Sequence, residues 1–422
     1  MELGKSIKAI INTRNQDVLH GSVANGIETK ESSVDHPHKP VLKSSCPPND
    51  LSFESVAPKT SCGFFSYFKN ILTTKHRRKL QKLESAYRTL ISVFVANFFT
   101  KSSQKVKSDE MSINDFQGLK TIGQGSFGTV KIGELKKTKE ILAIKILKKQ
   151  QIYELNLIEN TVNEKNFFRS IDHPFIVSAK YHFWDNMHLY IVMDYCAGGE
   201  LYTRLQLNKK FDENTVRFYG AQIFSALDFL HNIGIIYRDL KPENVLIDST
   251  GYLKLTDFGI SKMSDWTNTF IGTPLYTAPE MFDEGYNCSI DWWAFGLLLF
   301  EMRSGFVPFA GESEDEVYDK ILNVEVNVPE NFSPKLADLI KRLLVKDPSN
   351  RIGCLQNGSD DIRNHAWFSK MNWMKLLKKQ ITPAYVPSLK HPTDTSNFQA
   401  CPEVNAERSS KCLYFEEFND FY

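Results

Sequence analysis

The chain has 422 residues, 42% of them hydrophobic and 24% charged, with a formal net charge of +1. This is the balance of a soluble globular protein with one large unit and appendages, and without a broad basic field it gives no reason to expect a nucleic-acid partner. Seven scattered cysteines (46, 62, 196, 288, 354, 401 and 412) form no Cys-x-x-Cys pair, which excludes the usual zinc and redox motifs and points to a reducing, cytoplasmic setting.

The start, Met1-Glu2-Leu3-Gly4-Lys5, shows no apolar signal core, position 2 is not the glycine that N-myristoylation needs, and no apolar run is long enough to span a bilayer. Residues 1–62 are rich in Ser, Asn, Lys, Pro and His, with the breaker Cys46-Pro47-Pro48-Asn49-Asp50, and predict a disordered extension. Residues 63–114 bring apolar residues onto helical spacing around a basic run, Lys75-His76-Arg77-Arg78-Lys79, and predict one or two amphipathic helices. Three readings of that segment stand open: packing on the rest of the protein, membrane-surface or nuclear targeting through the basic run, and binding of a regulatory partner. Beyond Phe116 alternating apolar residues predict strands, and from about Glu200 the spacing becomes helical. The fold class expected for 115–368 is therefore α+β, a small β lobe followed by a large helical one. Residues 369–422 form a proline-punctuated tail ending in Phe415-Glu416-Glu417-Phe418-Asn419-Asp420-Phe421-Tyr422.

Gly123-Gln124-Gly125-Ser126-Phe127-Gly128-Thr129-Val130 is a glycine-rich element whose missing Cβ atoms let backbone N–H groups approach phosphates. A dinucleotide-binding turn would need a helix directly after it; the β-branched and apolar residues that follow favour a hairpin over a nucleotide. Ile141-Leu142-Ala143-Ile144-Lys145 is a buried-strand sequence ending in a cation, which is costly unless anions meet it, and Glu164 in a helical stretch is the candidate carboxylate. Tyr237-Arg238-Asp239-Leu240-Lys241-Pro242-Glu243-Asn244, followed by Thr256-Asp257-Phe258-Gly259, supplies what phosphoryl transfer requires: a carboxylate for the attacking hydroxyl, oxygen ligands for Mg²⁺, and a cation for the migrating phosphate.

In these motifs and their order the sequence resembles the eukaryotic protein kinases, and within them the AGC group, with cyclic-AMP-dependent catalytic subunits as the nearest likeness. The resemblance implies a bilobal fold, ATP and Mg²⁺ as substrate and cofactor, Asp239 as catalytic base, Lys241 on the γ-phosphate, Asn244 and Asp257 as metal ligands, and Lys145 on the α- and β-phosphates, paired with Glu164. The implied nucleotide contacts are Ile122, Gly123, Gln124, Gly125, Ser126, Phe127, Gly128, Thr129, Val130, Ala143, Met193, Asp194, Cys196 and Leu246, with Phe398 of the tail closing over them. Lys241 together with Gly272-Thr273-Pro274 resembles the serine/threonine pattern, and Thr273 is expected to bond toward Asp239 and Lys241. Glu280 and Arg351 match an ion pair bracing the large lobe, and Asp291 a carboxylate supporting the catalytic loop.

Thr269 matches the activation-loop phosphosite, where a phosphate is expected to engage Arg238 and Lys262. Asn160 stands where the cyclic-AMP-dependent kinases carry a phosphate-binding histidine, which predicts weaker coupling between that loop and the helix bearing Glu164. Glu200, Glu243 and Glu301 occupy positions that read substrate arginines in basophilic relatives. The closing aromatics resemble a motif that docks on the small lobe, in the frame Phe415/Phe418 or Phe418/Phe421. The implied partners are protein substrates, a regulatory subunit and an upstream activating kinase. No cyclic-nucleotide-binding domain fits within 1–114.

Overall fold

The structure is a computed structural model that describes residues 74–102, 111–125, 128–404 and 409–421, with side chains of the first helix described from Glu84 onward. The expectation for residues 1–62 lies outside the described residues. Helix α1 (Thr74–Ser102) is one 29-residue helix. Its Tyr87, Ile91, Phe94 and Phe98 recur at three- and four-residue intervals and share one face; Tyr87, Ile91 and Phe98 are buried and Phe94 packs against the same core. Tyr87 donates its hydroxyl to Asp228 at 3.0 Å, the Arg363 guanidinium lies over the Tyr87 ring, and Phe94 meets His173 and Phe229 edge-on. Of the three readings of this segment, these contacts are those of packing on the rest of the protein over 84–102. The side chains of the basic run lie outside the described residues.

The small lobe is a five-stranded antiparallel sheet of β1 (Phe116–Gly125), β2 (Gly128–Leu135), β3 (Ile141–Lys148), β4 (Ala179–Trp184) and β5 (His188–Asp194), ordered β1-β2-β3-β5-β4. Between β3 and β4 lie two helices, α2 (Lys149–Glu154) and α3 (Ile158–Ser170). Alternation along β3 sends Leu142, Ile144 and Ile146 into an outer cluster with Phe116, Phe183 and Tyr190, and turns Ala143, Lys145 and Leu147 inward toward α3. At the β1–β2 turn a Cβ on Gly128 would lie 2.0 Å from the Ile146 carbonyl oxygen, so that position admits glycine alone without moving β3.

The large lobe follows in chain order: α4 (Leu201–Asn208), α5 (Glu213–Asn232), then the short strands β6 (Ile235–Ile236), β7 (Val245–Ile247), β8 (Leu253–Leu255) and β9 (Lys262–Met263). It continues through α6 (Ser289–Ser304), α7 (Glu314–Asn323), α8 (Pro334–Leu343), α9 (Ser359–Arg363) and α10 (Trp373–Leu377). Asp212 caps α5 by accepting from the Asn214 and Thr215 N–H groups, and nearly the whole helix is then buried. Helix α6 is apolar all round and buried in the lobe; Gly305, at φ 89°, ends it. Each fully buried aromatic such as Trp292, Trp293 or Phe295 contributes about 2–3 kcal/mol of apolar burial before ordering costs. The glycine-rich hairpin thus faces a loop-bearing helical lobe across a cleft, and the short strand pairs β6–β9 and β7–β8 fix the loops on its floor.

Candidate active site

Strand β3 carries Lys145 into the cleft and α3 carries Glu164 to meet it, Nζ to Oε1 at 2.5 Å, with Asp257 Oδ1 on the other side at 3.5 Å. Burial alone pulls the Lys145 pKa down, but Asp257 and then Glu164 outweigh it and hold the ammonium above its ordinary range. Lys145 in turn holds the Asp257 carboxyl below the usual carboxylate range. Asp257 itself adopts φ 56°, a left-handed backbone in which its Oδ1 accepts the Gly259 N–H at 3.2 Å. Phe258 next to it is buried edge-on against Phe168 of α3 and Tyr237 of the facing loop, which locks the loop to the helix that bears Glu164.

On the floor, Lys241 Nζ donates to both oxygens of Asp239 at 2.9 Å, and Asn244 Nδ2 donates to Asp239 Oδ2 at 2.6 Å. Thr273 links the two as expected, accepting from Lys241 at 3.0 Å and donating to Asp239 at 3.3 Å. The loop is held from beneath by Asp291, buried on α6, whose two oxygens accept the N–H groups of Tyr237 and Arg238 at 2.9 Å, with His231 Nε2 at 2.8 Å. Because Asn244 commits its amide nitrogen to Asp239, its Oδ1 is the atom left to act as a ligand.

The cleft between the lobes encloses about 270 Å³. Ile122, Gly123, Gln124, Gly125, Val130, Ala143, Met193, Cys196, Leu246 and Phe398 line it together with Lys145, Glu164, Asn244 and Asp257. Asp194 lines it too, but its carboxylate accepts from Lys254 at 2.9 Å and Ser178 at 3.3 Å, so toward a nucleotide it offers backbone. Gly128 and Thr129 pair with Gly125 and Gln124 at the hairpin end; Ser126 and Phe127 lie outside the described residues. Apolar walls, a glycine-edged roof and a floor of carboxylates and ammonium groups make a pocket for a flat base joined to a polyphosphate.

Residues 116–368 match the protein kinase domain family. The chain belongs to the protein kinase family. The kinase is 43% identical to "cAMP-dependent protein kinase catalytic subunit 3" of Drosophila melanogaster over 73% of this chain and 54% of that one. It is 43% identical to "cAMP-dependent protein kinase type 3" of Saccharomyces cerevisiae over 70% of this chain and 75% of the relative, and 40% identical to a human cAMP-dependent catalytic subunit over 69% and 82%. It therefore spans about half the length of the fly relative and about three quarters of the yeast one. Its core is that of a serine/threonine protein kinase.

At the edge of the cleft, which Glu200 and Glu243 also line, Glu200 and Glu301 both feel the charge of Glu243, so the three carboxylates sit in one acidic field. Burial, reinforced by Glu243, pushes the Glu200 pKa up; burial does the same for Glu301, opposed by the Tyr276 hydroxyl that donates to it and reinforced by Glu243. In the kinase's activation loop, Arg238 and Lys262, the cations expected to engage a phosphate on Thr269, bond nearby loop acceptors. Arg238 Nε donates to the Ile260 carbonyl at 2.5 Å, and Lys262 Nζ to Thr267 Oγ1 at 3.1 Å, two residues short of Thr269, whose own carbonyl accepts the Tyr286 hydroxyl at 2.5 Å. Asn160, by contrast, bonds the loop directly: its Nδ2 donates to the Gly259 carbonyl at 3.1 Å, tying α3 to the segment that carries Asp257.

The structure also selects one of the two tail frames. Phe418 and Phe421 are fully buried and Phe415 is 58% exposed. Lys165 of α3 donates to the carbonyls of Asp420 and Phe421 at 2.9 Å and lies over the Phe421 ring. Sequence reasoning missed Lys165, and it missed Glu403, which reaches Thr121 and Lys131 from the tail. Neither has a local spacing signal, because each meets its partner across more than 250 residues.

Proposed function

We propose that this kinase moves the γ-phosphoryl group of magnesium-bound ATP onto serine or threonine hydroxyls of proteins that carry arginine shortly before the acceptor. The observation that carries the reading is Asp239, a carboxylate at the cleft floor bridged to Lys241, Asn244 and Thr273. In the transfer, the acceptor oxygen forms the new bond to γ-phosphorus as the bond to the β-phosphate bridging oxygen breaks, and the hydroxyl proton passes to Asp239; ADP leaves. Lys241 offsets charge on the migrating group and Lys145, already an ammonium between Asp257 and Glu164, holds the α- and β-phosphates.

The donor set fits a divalent cation of the magnesium kind. Asp257, whose carboxyl is held anionic, and Asn244 Oδ1 supply two hard oxygen ligands. Among the described residues no cluster of three or more His, Cys, Asp and Glu could hold a metal by itself, so phosphates and water must complete the shell. Bound there, the ion would screen the phosphate charges.

Arginine preference rests on the field of Glu200, Glu243 and Glu301. Phosphorylation of an arrayed peptide library tests it. Enrichment of Arg two and three residues before the acceptor supports the reading, and a proline-directed or acidic preference overturns it. Relatives named as catalytic subunits support a separate regulatory subunit as a partner, and the place of Thr269 in the loop motif is the ground for an upstream kinase acting on it. A phosphate at Thr269 must draw Arg238 and Lys262 from their present acceptors. A cytoplasmic location, with nuclear entry through the basic run at 75–79, completes the proposal.

A further inference from the structure

The tail is fastened to the small lobe at both ends of a short stretch, 394–403. At the hinge end Tyr195 donates its hydroxyl to the Asp394 carbonyl at 2.5 Å, Asn397 Nδ2 donates to the Ala197 carbonyl at 2.9 Å, and Phe398 stacks on Tyr195 while entering the cleft. Lys120 of β1 adds a bond to Thr395 Oγ1 at 2.6 Å. At the far end a single carboxylate makes three bonds. Glu403 accepts the Thr121 backbone N–H at 2.9 Å, the Thr121 hydroxyl at 2.9 Å, and Lys131 Nζ at 3.2 Å.

Those partners form a cross-strand pair, Thr121 opposite Lys131, one residue before the register of β1 and β2 shifts between Thr121 and Gly123. A bulge frees the strand from its ladder there, and β1 is the edge of the sheet, so its outward N–H groups need an acceptor from elsewhere. Lys131 is largely buried, its side chain 10% exposed, and needs a counter-charge. Glu403 answers both needs, and the Thr121 bonds hold its carboxyl below the usual carboxylate range. Ile122 and Gly123, the next residues, line the cleft. Thr121 and Glu403 are 282 residues apart in sequence.

We infer that Glu403 is a positioning residue for the glycine-rich lid: it pins β1 at the bulge where the lid begins and, through the stretch that carries Phe398, couples nucleotide affinity to tail docking. This inference rests on the cleft being the nucleotide site. An exposed ion pair alone is worth little; what distinguishes this one is the backbone N–H at the bulge.

The test measures equilibrium binding of a fluorescent ATP analogue with magnesium, together with the KM for ATP, the KM for an arginine-containing peptide, kcat and melting temperature, in the full chain. Glu403→Ala should weaken analogue binding and raise the ATP KM by about three- to tenfold, with kcat, the peptide KM and the melting temperature unchanged. Glu403→Gln, which keeps an acceptor for Thr121, and Lys131→Met, which removes only the ion pair, should each fall between Glu403→Ala and wild type. Nucleotide affinity within about twofold of wild type in Glu403→Ala overturns the inference. So does a parallel loss of peptide KM, kcat and stability, which marks a purely structural contact. A wild-type protein that binds the analogue but phosphorylates no peptide sinks the proposed function and leaves the affinity series to decide this one.

Discussion

Two ion clusters in this kinase use the same residue types and differ in how they are finished. Glu280 and Arg351 meet inside the large lobe at 2.5 and 2.8 Å, with Arg351 fully buried. All three guanidinium nitrogens donate: to Glu280, and to the carbonyls of Ser289, Val345 and Lys346. Asp239, Lys241 and Thr273 are bound to one another through side chains, at the edge of a cleft, and the Lys241 and Asp239 side chains are 21% and 12% exposed. A group saturated by backbone carbonyls has nothing left to exchange with a ligand. A group held by movable side chains can trade partners as charge develops. The difference separates a brace from a catalytic centre, although both are spelled with one acid and one base.

Removing chemistry from each cluster should therefore produce opposite signatures. Asp239→Asn keeps the shape and removes the proposed base, so kcat should fall by about 10²–10⁴ with the melting transition unmoved. Steady-state kinetics beside calorimetry reads both. Arg351→Ala should do the reverse. Leaving Glu280 buried beside Ser289 without its partner costs about 3–5 kcal/mol, visible as a lower denaturation midpoint, while the fraction that remains folded keeps its ATP KM. A stable, inactive Arg351→Ala would erase the distinction.

How far the sequence foretold this division depends on the distance between partners. Asp239, Lys241 and Asn244 lie within one loop, so their spacing nearly determines their geometry, and the hairpin after Gly125 is readable from Thr129, Val130 and Ile132 because strand alternation is local. Burial is not local. Nothing in the letters around Phe415, Phe418 and Phe421 says which pair docks; the choice depends on Lys165 and His182 of the small lobe. The helix expected around Glu164 is there as α3, and what the letters leave out is the separate short α2 before it, set off by Asn156 at φ 55°. The tail after Phe368, expected to be irregular, also contains α10, capped by Asn372. Asn160 shows what analogy leaves out: its place in the motif predicts a weaker link to Thr269 but says nothing of the bond its amide makes to the Gly259 carbonyl.

Tail docking extends the contrast between brace and catalytic centre to groups that carry no charge. If burial alone makes a contact structural, Phe421→Ala should lower stability by about 2–3 kcal/mol and Phe415→Ala by less than about 0.5 kcal/mol, measured by denaturant unfolding. Equal effects would mean that the pocket under α3 does not select the Phe418/Phe421 frame.

The acidic field gives the smallest effect and the most discriminating sign. Burial and Glu243 raise the Glu200 carboxyl, and burial raises Glu301, so both take up protons on acidification before an ordinary carboxylate does. On the proposed arginine preference, protonation removes the anion that a substrate guanidinium would need. As pH falls toward that raised range, the KM for an arginine-containing peptide should climb by about threefold more than the KM for its arginine-free counterpart. In Glu301→Gln the climb should be shallower, from a higher starting value. Stability responds with the opposite sign: a carboxyl whose folded pKa is raised contributes stability below its unfolded pKa and loses it as pH rises through the folded one. Acid therefore weakens recognition at these glutamates while favouring the folded state through the same groups. A rise in KM that tracked a falling melting temperature could not come from them, and one that appeared without it would place substrate reading on carboxylates that the brace, with its Glu280 already spent on Arg351, cannot imitate.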